Sequence, residues 1–194
     1  MSEKKEMLEA VYTEYRKECE GKEIVVGDGN VNAELLLIGE APGKDEVRLG
    51  KPFVGMAGKN LSEFLEILGL SRDSIYITNV IKYRLSKLNE KSGRVVNRPA
   101  LPQEIRQNQN YLKKELTIIK PQYIVTLGNV PLRAVTDKMD YTIGEMHGKT
   151  HKIMIQDHEY NLFALYHPAS VIYNRSLKDT YIEDIQKLKS IISK

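Results

Sequence analysis

Four short apolar runs separated by helical patterns predict an α/β protein, a three-layer α/β/α sandwich with a central four-stranded, mainly parallel sheet. The runs lie at residues 35–38, 75–80, 123–127 and 162–166, and they are mostly apolar without a polar alternation, as strands buried on both faces are. The segments between them carry apolar residues at helical spacing and are long enough for crossover connections. At or near the C-terminal end of each run stand residues suited to chemistry: Gly39-Glu40, Asn79, Gly128-Asn129 and His167. Parallel sheets bind ligands beyond the C-terminal ends of their strands, so these positions are expected to converge on one pocket.

The elements follow in order. Met7, Leu8, Val11, Tyr12 and Tyr15 recur at helical spacing among Lys and Glu, predicting an amphipathic helix over 4–20. Residues 24–26 suit a short edge strand, and Gly27-Asp28-Gly29-Asn30 is turn chemistry. The first buried run ends in Gly39-Glu40-Ala41-Pro42-Gly43, opening a loop that also holds Gly50, Gly55 and Gly58. A carboxylate and many free backbone N–H groups then stand beside one cavity, and the chemistry of the chain is concentrated there. Leu61, Phe64, Leu65 and Leu68 mark a helix that Gly69 ends. Residues 82–98 are polar and basic, with Lys82, Arg84, Lys87, Lys91, Arg94 and Arg98 against Glu90, and read as a surface loop, either a solvated connector or a functional one. Pro102 opens a helix through Ile119, closed by Lys120-Pro121. Residues 130–135 suggest a short helix, 152–155 a strand or hairpin, and 180–192 a last amphipathic helix.

The chain has 194 residues, consistent with one domain spanning 1–194. A net charge of +3 permits an anionic partner without requiring one. The single cysteine, Cys19, excludes an intramolecular disulfide and any cysteine-based cluster made within one chain. With a charged N-terminus and no apolar stretch long enough to span a membrane, a cytoplasmic protein with no membrane partner is expected, acting as a monomer.

GEAPGKDE at 39–46, GKPFVGMAG at 50–58, TNV at 78–80 and HPAS at 167–170, taken together in this order and spacing, resemble the uracil-DNA glycosylase superfamily, most closely its family 4. The resemblance runs roughly from Ile24 to Lys189. It implies hydrolysis of the bond between uracil and deoxyribose in DNA, in base-excision repair, with the base flipped into a pocket. Under it, Glu40 and His167 are the catalytic candidates. Glu40 would orient water and offset the cationic sugar, and His167 would hydrogen-bond uracil O2 and stabilise the departing anion.

The base pocket would comprise Ala41, Gly43, Glu46, Phe53 and Asn79. Phe53 stacks on the base, and the Asn79 amide both donates and accepts, matching O4 and N3–H of uracil and mismatching the amino group of cytosine. Glu46 reads either as a wall near uracil C5 or as a structural residue. DNA contacts would come from backbone N–H groups at Gly55 and Gly58, from Lys87, Lys91 and Arg94, and from an Ile172 wedge with Arg175 on a phosphate. Simple packing of the segment after His167 is an equal reading of that last pair.

Two departures stand out, beside Ala41 at the position where the best-known uracil glycosylases carry the water-activating aspartate. Family 4 members typically hold a [4Fe–4S] cluster on four cysteines. Here Tyr12, Tyr15, Tyr83 and Asn108 fall near those positions, so no such cofactor is expected and protein packing takes its place. The segment 85–97 is also longer than the family usually has. Alternatives to uracil excision are a catalytically inactive DNA- or nucleotide-binding homologue and an enzyme acting on another deaminated base or a nucleoside.

Overall fold

The computed structural model describes residues 2–193, apart from the side chains of Ile172, Tyr173 and Arg175. The four expected strands form the centre of the sheet: β2 (Leu35–Gly39), β3 (Tyr76–Asn79), β6 (Tyr123–Leu127) and β8 (His158–Leu165). They pair in parallel in the spatial order β3-β2-β6-β8. Two antiparallel edge strands, β1 (Asp28–Gly29) beside β3 and β7 (Thr150–Ile155) beside β8, extend this to a six-stranded mixed sheet. The edge strand expected at 24–26 is instead a single bridge from Ile24 to Tyr83, and the pairing has moved to the turn residues Asp28 and Gly29.

One face of the sheet is covered by α1 (Glu3–Glu18), α4 (Pro102–Ile119) and α5 (Asn129–Thr136), which contribute Leu8, Tyr12, Leu112, Leu116 and Leu132 to a core with Leu36 and Ile38. The other face is covered by α3 (Gly55–Leu68) and α8 (Lys178–Ile192), whose Phe64, Leu65, Ile185 and Leu188 pack with Leu35, Leu37 and Val125. Alternate residues of β2 therefore feed opposite cores, as the period of two requires. The result is the expected three layers.

Two segments differ from the sequence expectation. The polar stretch 82–98 is not a plain loop: β4 (Ser86–Asn89) and β5 (Arg94–Asn97) form an antiparallel hairpin outside the main sheet. Its turn is built by Asn89, whose side-chain oxygen accepts the Lys91 and Ser92 N–H groups, and by Gly93 at φ 65°. The glycine-rich loop after β2 also contains a short helix, α2 (Lys44–Leu49). Gly43 is its N-cap, and Glu46 reaches back to bond the Gly43 N–H, a carboxylate at the third helical position capping its own helix.

A buried polar cluster lies under the C-terminal end of β3. Lys82 and Glu115, 1% and 0% exposed, pair at 2.7 Å. Glu115 also accepts from Thr78 and Tyr12, and Tyr12 meets Tyr76 hydroxyl to hydroxyl at 2.6 Å. Burying this ion pair is tolerable because its oxygens and ammonium protons are hydrogen-bonded.

Candidate active site

The parallel register brings the predicted strand ends side by side: Gly39 is paired with Asn79, and Leu127 with Leu165. Glu40, Asn79, Gly128-Asn129 and His167 thus stand along one edge of the sheet. Glu40 and His167 both line two adjoining cavities. One, of about 300 Å³, adds Ala41, Pro42 and Asn97. The other, of about 430 Å³, adds Ala100, Gly128, Asn129 and Tyr166.

His167 is the N-cap of α7 (Pro168–Tyr173), and its Nδ1 accepts the Ala169 N–H at 3.2 Å. An Nδ1 that accepts carries no proton, so this bond assigns the ring proton to Nε2. Burial lowers the His167 pKa, which keeps the ring neutral. The site therefore holds a neutral N–H donor. Gly128 follows β6 at φ 87°, a backbone conformation that residues with a side chain rarely adopt, and lies beside His167.

Glu40 is half-buried and one of its oxygens accepts the Ala100 N–H at 2.6 Å. Burial raises its pKa most, the Ala100 bond opposes the shift, and the charge of Glu104 adds to it. The Ala100 bond anchors the carboxylate at the cavity wall in one orientation.

Asn79 and Phe53 lie a layer deeper, 3% and 6% exposed. They meet over Gly39: a Cβ on that residue would sit 2.3 Å from Asn79 Oδ1 and 2.7 Å from the Phe53 ring. The Asn79 Nδ2 is buried without a hydrogen-bond partner among the described residues. An orphaned buried amide costs about 1–3 kcal/mol, a cost that a ligand able to accept its hydrogen bond would remove.

Phe53 is held at φ 52°, an uncommon conformation for an aromatic residue, by bonds on both sides. Its N–H donates to Glu46 at 2.6 Å, and its carbonyl accepts from Arg72 at 3.0 Å. Glu46 is 7% exposed, with one oxygen on the Gly43 N–H at 2.7 Å and the other on Phe53 N–H. Desolvation raises its pKa, against the two backbone bonds. Glu46 thus ties the start of α2 to the stacking candidate, and the Gly43 N–H is already taken. The small size of Gly55 and Gly58 serves packing, because added Cβ atoms would lie 2.7 Å from Asp45 and 2.9 Å from the Phe53 carbonyl. Lys87, Lys91 and Arg94 are exposed on the hairpin and line neither of the cavities that hold Glu40 and His167. The predicted Ile172 and Arg175 side chains lie outside those described.

The roles missed in the sequence are those of Gly39, Lys82 and Ala100. Lys82 Nζ donates to the Asn79 backbone carbonyl at 2.7 Å and to Glu115, fixing the backbone that carries the Asn79 side chain. A lysine directly after the apolar Val80-Ile81 was its available signal.

A family profile described as "Uracil DNA glycosylase superfamily" matches residues 26–189. The chain belongs to the uracil-DNA glycosylase superfamily. Among similar proteins is the type-4 uracil-DNA glycosylase of Archaeoglobus fulgidus, 37% identical over 173 residues that cover 88% of this chain and 82% of the relative. The corresponding protein of Saccharolobus solfataricus is 38% identical, covering 89% and 77%. That of Thermotoga maritima is 34% identical, covering 88% and 84%.

The residues near the positions where the resemblance expects cluster cysteines do not fit an iron–sulfur group. Tyr15 donates to Asn108 and accepts the Lys82 N–H at 3.0 Å, and Tyr12 bonds Glu115 and Tyr76. Tyr15, Tyr83 and Asn108 line one cavity with Cys19 as its sole thiol. Phenols and an amide bonded to one another are not the thiolate set such a cluster needs. Among the described residues, no group of three or more His, Cys, Asp or Glu is placed to hold a metal ion.

Proposed function

We propose that this protein is a monofunctional DNA glycosylase that hydrolyses the N-glycosidic bond of uracil in DNA. The observation that carries the reading is the unpartnered Asn79 amide, buried beside the Phe53 ring over a bare Gly39, one residue from the carboxylate that shares a cleft with His167. An extruded uracil would stack on Phe53. Its O4 would accept from Asn79 Nδ2 and its N3–H would donate to Oδ1. Cytosine would present an amino donor to the Nδ2 donor and an unprotonated N3 to the oxygen, so both bonds would fail.

As the C1′–N1 bond breaks, electron density moves to the base and positive charge to the sugar. The His167 Nε2–H points a neutral donor at O2 and stabilises the anion without itself ionising. Glu40, ionised, offsets the sugar cation, orients the water whose oxygen bonds to C1′ and takes up its proton, which passes on to the departed uracil anion. Ala41 provides no second acid. Glu46 positions Phe53 rather than touching the base, and Lys87, Lys91 and Arg94 attract the DNA backbone. The chain works without an iron–sulfur cofactor, as a cytoplasmic monomer.

The test uses labelled oligonucleotides carrying uracil, hypoxanthine, xanthine or thymine opposite guanine, treated with alkali after incubation. Strand breaks at uracil alone are expected. Breaks only at another base, or binding without breaks, would replace this reading. Asn79→Ala and His167→Ala should each lose most cleavage while melting cooperatively, and wild-type rates in both would remove the site assignment.

A further inference from the structure

The β4–β5 hairpin is the part of the fold whose surroundings least explain its existence. It pairs with no strand of the main sheet, and all its strand residues but Asn89 and Val96 are exposed. A two-stranded ribbon without a packed face is marginal in water, so a partner is needed to complete it. Its two faces are unlike. Register places Leu88 opposite Val95 and Ser86 opposite Asn97 on one face, and Lys87 opposite Val96 and Asn89 opposite Arg94 on the other. Leu88 and Val95 are 62% and 56% exposed, an apolar cross-strand pair facing solvent. Isolated apolar residues on a surface need no explanation, but two directly paired on an unsupported ribbon do.

The position of the apolar face identifies its occupant. Asn97 belongs to the same face and lines the cavity that holds Glu40 and His167. Val95 is two residues further along the strand, about 7 Å from that lip at ~3.4 Å per residue, the length of about two stacked nucleotides at 3.4 Å each. Arg84 lies against the Asn97 side of the ribbon, bonding the Asn97 side chain at 2.8 Å. Lys87 and Arg94 stand on the back and Lys91 at the tip, with Glu90 the single acid between residues 86 and 97.

From this we infer that the hairpin is a strand-parting wedge: Leu88 and Val95 pack on the bases flanking the extruded nucleotide, while Lys87 and Arg94 on the reverse face lie along phosphates of the other strand. The apolar face suits unstacked bases, which expose flat apolar surface once a neighbour has left the stack, and the cationic reverse suits a phosphate backbone. The inference rests on the proposed action on DNA and adds the element that discriminates duplex from single strand.

The chain contains no tryptophan, so Leu88→Trp gives a fluorophore confined to this face. Its emission is expected to be strongly quenched by a duplex bearing a stable abasic-site analogue and much less by inorganic polyphosphate, which offers charge without bases. A second variant, Leu88→Ser with Val95→Ser, is expected to keep the wild-type melting temperature. Its ratio of duplex to single-strand cleavage rates should fall roughly tenfold, about 1.4 kcal/mol.

Unchanged emission at DNA concentrations that saturate binding by anisotropy would overturn the wedge, as would an unchanged rate ratio. Conversion of a wild-type dimer into a monomer by the double serine variant, with an unchanged ratio, would assign the face to a second copy of the chain. Failure of the wild type to cleave any uracil substrate would instead sink the proposed function, and the emission of the Leu88→Trp variant would still report whether the hairpin meets bases.

Discussion

Replacing Gly39 by alanine probes the base slot with one carbon atom. The new Cβ would lie 2.3 Å from Asn79 Oδ1 and 2.7 Å from the Phe53 ring, whereas folded proteins essentially never bring a Cβ closer than 3.0 Å. Asn79 must therefore retreat by at least 3.0 − 2.3 = 0.7 Å, and Phe53 by at least 3.0 − 2.7 = 0.3 Å. Lys82 fixes the Asn79 backbone through its carbonyl at 2.7 Å, so the retreat falls on the side-chain amide itself. A displacement approaching 1 Å at a positioning group costs on the order of 10²-fold in rate, which is about 2.7 kcal/mol of transition-state stabilisation. Overpacking of the same spot costs about 1–3 kcal/mol of stability, lowering the melting temperature by a few degrees per kcal/mol for a chain this long. Single-turnover cleavage of a uracil oligonucleotide, paired with thermal melting, separates the two effects. A Gly39→Ala protein that folds and cleaves within a few-fold of wild type would refute the location of the base over Gly39.

Four other outcomes follow from the same geometry. If Glu40 acts ionised, as proposed, its burial-raised pKa means that the cleavage rate should climb with pH through a value above that of an ordinary glutamate; Glu40→Gln should abolish that limb. A raised folded-state pKa also means that the stability contributed by protonated Glu40 is present at low pH and lost as pH rises through that pKa, so Glu40→Gln should melt no lower than wild type at neutral pH. Lys82→Met strands the Glu115 carboxylate and should cost about 3–5 kcal/mol, roughly 6–20 °C in melting temperature, while adding Glu115→Gln should recover much of it; equal melting of single and double variants would deny the pair its charge. Glu46→Gln leaves one amide hydrogen facing a backbone N–H, at about 1–3 kcal/mol, and hydrogen exchange should rise at the amides of Gly43 and Phe53 rather than throughout the chain. Chelators should change neither melting temperature nor cleavage, and iron copurifying in stoichiometric amount would contradict the tyrosine packing.

The sheet was legible because its strands are buried on both faces, leaving runs such as 35–38 with no competing period. Glu40, Asn79 and His167 were legible for a related reason, since a polar residue at the end of such a run has only the sheet edge to occupy. The hairpin was not, because its alternation is carried by only Leu88, Val95 and Val96 among charged residues, and its pairing depends on a turn bond from Asn89. The role of Glu46 was equally hidden. A carboxylate three residues after Gly43 is a capping signal, but nothing in the spacing says that its second oxygen reaches Phe53 seven residues on. Long-range partners of polar groups are set by packing, which one sequence does not display.

The tyrosines and the base slot are parts of one structure. Tyr15, near where the resemblance expects a cysteine, accepts the Lys82 N–H, and the ammonium of the same Lys82 bonds the Asn79 backbone carbonyl. Tyr12, near another such position, bonds the Glu115 that pairs with Lys82. The proposed hydrolysis needs no electron carrier, but it would need the Asn79 amide held to within about 0.5 Å. Two hydrogen bonds from the phenols reach its support, one on the Lys82 backbone and one on the Glu115 carboxylate. Tyr12→Phe and Tyr15→Phe each remove one of those bonds while keeping the ring volume. If they support Asn79, the variants should lose discrimination between uracil and cytosine more than they lose stability. Loss of stability with discrimination intact would make them packing residues and nothing more.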